Sequence, residues 1–161
     1  MTIQIRPASV KDTEELVRLS LFAWKPVFAS FRQVLGPTIY ALVYPDWQRQ
    51  QREAVEAVCA KDGEMTIWVA DVGEKVAGFI AYKLKREERL GVVELLAVHP
   101  DYQNRGIGTE LNKVALEKMK ESGMKLADLH TGGDPGHAPA RRAYEKAGYI
   151  ALPLVHYYKD L

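Results

Sequence analysis

The stretch from His99 to Leu111, HPDYQNRGIGTEL, holds two glycines one residue apart, between the apolar run VVELLAV and a segment of helical spacing. A chain that leaves a strand, turns through glycine and enters a helix presents unpaired backbone N–H groups at the positive end of the helix dipole. Those groups form an anion site. Gly106 and Gly108 carry no side chain to keep a phosphate oxygen away, and Arg105 and Gln103 add side-chain donors. A pyrophosphate satisfies this arrangement; the competing reading is a tight connection that needs permissive dihedrals. Thr109-Glu110 stands where a Walker loop requires Lys-Ser or Lys-Thr, and Leu111 stands where a dinucleotide fold requires a third glycine.

Other chemistry-bearing residues are sparse. Glu94 interrupts an otherwise apolar strand and by period two shares a face with Val92, Leu96 and Val98. His130, Asp134 and His137 in HTGGDPGH match no metal-ligand spacing, so no metal is expected. Cys59 is the single cysteine, which excludes an internal disulfide and a cysteine-based cluster and leaves a buried, unreactive thiol as the expectation.

These residues need elements to position them. TIQIRPA alternates like a strand, and the spacing from Lys11 to Phe22 predicts a helix that Asp12 could cap. A second helix is expected from Asp46 to about Lys61, and the intervening stretch is dense in aromatics: Trp24, Phe28, Phe31, Tyr40, Tyr44 and Trp47. TIWVADV and VAGFIAYKLK read as a hairpin, and VVELLAV as a third strand. Helices follow from about Gly106 to Glu121 and across PARRAYEKAG, where Ala140, Ala143, Tyr144 and Ala147 share a face. The short strand KLADLHT lies between these helices, and LVHYYKDL is expected to close the chain as a last strand. The fold class is α/β (α+β): a mixed, largely antiparallel central sheet flanked by helices.

At 161 residues, with no repeat or linker, the chain is expected to form one domain over residues 1–161. Lys and Arg total 22 against 21 for Asp and Glu, so no global field points to nucleic acid or a membrane surface, and neither is expected as a partner. No stretch approaches the roughly 20 apolar residues of a membrane span, and a cytoplasmic location is the expectation.

Gln103-Asn104-Arg105-Gly106-Ile107-Gly108 resembles the Q/R-x-x-G-x-G/A motif of the GNAT superfamily of acyl-CoA-dependent N-acyltransferases. LLAVHPDY is similar to that family's strand and loop entry, and ARRAYEKAGY resembles its later helix, about 40 residues on. The element order matches over nearly the whole chain, the N-terminal helices in position only. The resemblance implies acetyl-CoA as cosubstrate, its pyrophosphate on the backbone amides from Gln103 to Thr109. The strand around Leu96 to Val98 would pair with the pantetheine arm and offer an N–H to the thioester carbonyl, an oxyanion donor of about 3 kcal/mol when preorganised. Ala140 would also contact the cofactor.

The same resemblance implies Tyr144 as the acid that protonates the departing thiolate, against a packing role on its apolar helix face. It implies Glu94 as the base that receives a proton from the incoming ammonium, against a carboxylate paired with Lys or Arg. His137 departs from the family, which often has an asparagine seven residues before the tyrosine in contact with the CoA arm. Its imidazole is open to that contact, to a base role, to the acceptor, or to none of them. Trp24 and Phe28 are the expected pocket lining for a small-molecule or peptide amine, with core packing as the alternative. The expected reaction is direct N-acetyl transfer in a ternary complex. A non-catalytic acyl-CoA-binding regulatory module and O-acyl transfer are the alternatives; the residues themselves are silent on oligomeric state, and the resemblance leaves a homodimer open because dimers are common in the family.

Overall fold

The computed structural model describes residues 1–60 and 63–161. Five strands form one sheet in the order β1-β2-β3-β4-β5: β1 (Ile3–Pro7), β2 (Met65–Val72), β3 (Lys75–Lys85), β4 (Leu90–Val98) and β5 (Leu126–Leu129). The first three pairings are antiparallel, and β4 pairs with β5 in parallel. The mixed, largely antiparallel sheet is therefore the one expected.

Helices cover both faces. On one face lies α3 (Ile107–Glu121), whose Ile107, Leu111, Ala115 and Met119 are buried against Ile80, Tyr82 and Val93. That spacing of three and four residues is the apolar stripe of an amphipathic helix. On the other face α1 (Thr13–Val43) packs Leu16, Val17 and Leu19 against Val69, Phe79 and Ala97. Next to it runs α2 (Trp47–Cys59), capped by Asp46, whose carboxylate accepts the Arg49 N–H at 3.1 Å. The expected end of α2 at Lys61 lies outside the described residues.

Four expectations are corrected. The first helix does not stop at Phe22: it continues through Pro26, and its one break is at Gly36, where φ is +76° before Pro37 restarts the helix. The aromatic stretch is thus mostly helical, and Trp24 and Phe28 stand in mid-helix rather than beside a connection. Asp12 does not cap α1 with its side chain; its carboxylate is taken by Arg6 and by the Ser9 N–H. Residues 150–161 form no strand and are exposed throughout, because a strand exists only where a ladder partner satisfies its backbone. Finally, α4 (Ala138–Lys146) turns Ala140 and Tyr144 inward but leaves Ala143 and Ala147 exposed, so its apolar face is only partly covered. No helix among the described residues is long and apolar enough to cross a membrane.

Arg6 fastens β1 to two neighbours. Its guanidinium donates to Asp12 at 2.9 and 3.0 Å and to Asp71 of β2 at 2.6 Å. Those bonds hold the Asp12 carboxyl below its ordinary value, chiefly through Arg6 and against the opposing effect of burial. A depressed carboxyl stabilises the fold above its unfolded value, near pH 4, and that contribution disappears as pH falls through the lower folded value. Asp12→Asn is expected to cost about 2 kcal/mol at pH 7, with the difference from wild type closing in acid. Urea unfolding at neutral and acid pH measures both.

Candidate active site

The site begins with a fault in β4. Ala81 pairs with Leu95 and Tyr82 with Val93, so Glu94 is an extra residue opposite no β3 partner, a β-bulge. The bulge reverses the face pattern expected for this strand. Val93, Leu96 and Val98 pack with the α3 cluster, while Leu95 and Ala97 pack with the α1 cluster. Glu94 therefore does not share a face with Leu96 and Val98. Its Oε1 lies 2.7 Å from Lys83 Nζ, and this contact holds the Lys83 ammonium above its ordinary value.

At the same place β5 leaves. The β4–β5 ladder runs from Leu90↔Leu126 to Val93↔Leu129 and ends there, so Glu94 to Val98 have no β5 partner. The gap exposes a strand edge whose backbone can take an extended ligand, as an added strand would.

The chain then enters the glycine loop. Gln103 does not use its side chain toward an anion: Nε2 donates to the Val98 carbonyl at 3.1 Å and pins the loop to the end of β4. Asn104 and Gly106 take positive φ, +59° and +83°, so the backbone curls around its own N–H groups. Gly106 caps α3 in this left-handed conformation, which glycine adopts without steric cost. The first bond into the helix is from Glu110 N–H to Gly106 O at 3.0 Å, and the N–H groups of Ile107, Gly108 and Thr109 precede it without helical partners. The Arg105 guanidinium lies 5.7 Å from the Tyr102 ring centroid, beside the loop.

Tyr144 reaches the site from α4. Its ring meets Tyr149 edge-on at 5.7 Å, and Tyr149 donates its hydroxyl to Asn112 Oδ1 on α3 at 3.2 Å. The glycine-led helix and the tyrosine-bearing helix are thereby tied together. Burial, with a smaller effect of Tyr149, pushes the Tyr144 phenol up to about 12. It stays protonated at neutral pH.

His137 opens α4, half-buried beside Phe31, with ring centroids 5.5 Å apart. Its Nδ1 lies 2.5 Å from Asp134 Oδ1, a partnership that the short Asp-x-x-His spacing permits. Ser30 completes the cluster from α1, over one hundred residues away in the chain, and no local sequence signal marks it. Phe28 is 7% exposed, stacked on Trp47 at 4.6 Å and edge-on to Phe31 and Tyr44, while Trp24 packs against the α1 core cluster. Both serve packing in this arrangement.

Cys59 is partly buried at the end of α2, and burial raises its thiol. A cleft of about 290 Å³ opens between α1 and residues 99–102, lined by Glu15, Arg18, Phe22 and Lys75 among others; β5 and α4 contribute nothing to it. Among the described residues no three His, Cys, Asp or Glu side chains converge in a metal-binding group.

The family model described as Acetyltransferase (GNAT) family matches residues 29–149. The chain is similar to mycothiol acetyltransferase of Streptomyces coelicolor, 32% identical over 83 residues, which are 52% of this chain and 26% of that protein. It is also similar to N-alpha-acetyltransferase 30 of Xenopus laevis, 35% identical over 86 residues, 52% of this chain and 31% of that protein. The matched stretches thus span only about a quarter to a third of these relatives. The PaiA N-acetyltransferase of Thermoplasma acidophilum, solved with coenzyme A, shares the fold: its TM-score is 0.71 at 20% identity, covering 91% of this chain and 89% of that one. With the family model spanning the bulged strand, the glycine loop and the tyrosine helix alike, the chain belongs to the acetyltransferase (GNAT) family.

Proposed function

We propose that this chain is an acyltransferase that moves an acetyl group from acetyl-CoA to a primary amine by direct attack in a ternary complex. The observation that carries this reading is the parting of β4 from β5 after Val93, beside the free N–H groups of Ile107 to Thr109. The loop from Gln103 to Thr109 binds the pyrophosphate through its amides, with Arg105 near the phosphates. The edge from Leu96 to Val98 holds the pantetheine arm, and Ala140 borders it from α4. Family membership and the coenzyme A complex of the structural neighbour support this assignment.

Tyr144 protonates the departing thiolate. Between a phenol near 12 and a thiol near 8.5 a stepwise transfer is uphill by about 5 kcal/mol, so proton transfer accompanies C–S cleavage. Glu94 has Oε1 engaged by Lys83, which leaves Oε2 as its only carboxylate oxygen free of that contact. The acceptor is a small-molecule or peptide amine; the names of the relatives, one an acetyltransferase of mycothiol and the other an N-alpha-acetyltransferase, support both classes.

The assembly is a homodimer through the C-terminal segment. Ile150, Leu152, Leu154, Val155 and Tyr157 are each at least 69% exposed. Together they present an apolar surface that a second copy of the chain can cover.

Three outcomes are expected. A Cβ on Gly108 would sit 3.5 Å from Val98 Cγ2, an ordinary contact, so Gly108→Glu folds while its carboxylate repels the pyrophosphate. Calorimetry should show CoA affinity weakened about 100-fold or more, with the thermal midpoint nearly unchanged. Tyr144→Phe lowers turnover about 100-fold and leaves CoA affinity largely intact; stopped-flow assay of thiol release separates the two. Light scattering should give the mass of two chains for the wild type and of one chain for Leu154→Glu.

A further inference from the structure

The cluster that joins α1 to the start of α4 is built beyond what packing needs. Asp134, with its side chain 8% exposed, spends both oxygens: Oδ2 accepts from Ser30 Oγ at 2.6 Å and from the Gly136 N–H at 3.0 Å, and Oδ1 faces His137 Nδ1 at 2.5 Å. Gly136 also donates to Ser30 Oγ at 2.9 Å, and Arg141 Nη1 donates to the carbonyls of Gly132 and Asp134. The backbone closes tightly over the pair. A Cβ on Gly136 would come within 2.7 Å of Ser30 Cβ, and one on Gly132 would overlap the Asp134 carboxylate and the His137 ring.

This arrangement fixes the tautomer. Burial alone would raise the Asp134 carboxyl, but the bonds from Ser30 and His137 overcome it and hold the group below its ordinary value. An ionised carboxylate only accepts, so Nδ1 carries the hydrogen and Nε2 presents a lone pair. Nε2 has no hydrogen-bond partner among the described residues and is not among their sealed, unpartnered polar atoms, which are Gln51 Nε2 and Trp68 Nε1. The ring is 16% exposed, so a basic nitrogen with a fixed direction stands open at the head of the helix that carries Tyr144.

We propose that His137, oriented by Asp134, is the general base that takes the proton from the acceptor ammonium. The inference rests on the acyl-transfer reading and assigns this role to His137 in place of Glu94, whose carboxylate is already engaged by Lys83. Nε2 takes one proton from R–NH3⁺, and the freed amine attacks the thioester carbonyl. The C–N bond forms and the C–S bond breaks. Tyr144 protonates the leaving sulfur and regains a proton from the nitrogen as it becomes an amide, while the imidazolium returns its proton to solvent. The sum is one acetylated amine, one CoA thiol and one proton.

The surrounding charges bear on this role in both directions. The N-terminus of α4 opposes a cation at its cap, and so does Arg141 of α4, which reaches back to the loop carbonyls of Gly132 and Asp134. Asp134 offsets both. From α1 come Ser30 and the Phe31 ring, and from its C-cap Tyr44, whose phenol is raised by burial and by the nearby Tyr158 and Asp134.

The test uses the full chain saturated with CoA. Nitrogen-detected NMR of the neutral His137 ring is expected to show Nδ1 protonated and Nε2 bare; the reverse tautomer overturns the proposal. With acetyl-CoA and phenethylamine as probe, kcat/KM should rise with pH along a limb, since the base acts only when unprotonated. His137→Asn keeps a donor for Asp134 but has no basic nitrogen. It is expected to lose the limb and about 100-fold in turnover, with CoA affinity within threefold of wild type. Asp134→Asn should weaken the tautomer preference seen by NMR and lower turnover while CoA affinity is kept. Weakened CoA binding in His137→Asn with turnover unchanged would make His137 a cofactor contact and sink the base role. Failure of the wild type to bind CoA at all would instead remove the acyl-transfer reading beneath it. Should phenethylamine not turn over, the NMR tautomer still decides the outcome.

Discussion

One extra residue in β4 governs the geometry of the molecule. A strand that keeps its register must stay in the sheet, and its neighbour must follow it. The bulge at Glu94 breaks that obligation at the position where β5 stops pairing, after Val93↔Leu129. Added twist is the ordinary effect of a bulge. Here it coincides with a sheet that opens along one edge, and every other part of the site takes its place from that opening: the loop pinned back by Gln103, the helix started by Gly106, and the tyrosine brought across by the Tyr149–Asn112 bond.

The two sides of the opening are anchored very differently. β4 is held along its whole length by β3 and buried from both faces by α1 and α3. The α4 side is attached through short contacts: four residue pairs to β4, the Tyr149 hydroxyl, and the Ser30–Asp134–Gly136 bonds to α1. The last of these makes α1 more than a cover for the sheet. It ties the N-terminal part of the chain to the loop that carries His137.

The sequence made the sheet, the glycine loop and both motif helices legible because each is signalled locally: period two, apolar stripes at three and four, glycine at a helix entry. Its failures follow from effects that act at a distance or cancel locally. The apolar spacing ends the first helix at Phe22, yet the packing of Val27, Phe28 and Ser30 carries it on past Pro26. Strict alternation placed Glu94 with Leu96 and Val98, and a single bulge, invisible to a period count, put them on different sides. The terminal segment has the composition of a strand and lacks a ladder partner among the described residues, where its Tyr158 meets Tyr44 through side chains alone. His137 was conspicuous as a departure from a family pattern, but its meaning lay in Asp134 and Ser30, and only the fold brings Ser30 there.

The unequal anchoring of the opening has a mechanical consequence. A ligand lying between β4 and α4 touches one wall that belongs to the core and another that can yield, because moving the latter disturbs only four ladder pairs and a few polar ties. The stiff wall sets where the ligand's backbone runs, and the compliant wall sets how wide a chain can be admitted. Tolerance for bulkier ligands would then be tuned by residues outside α4 that tie it down, such as Asn112 of α3 and Ser30 of α1, which need touch no ligand at all.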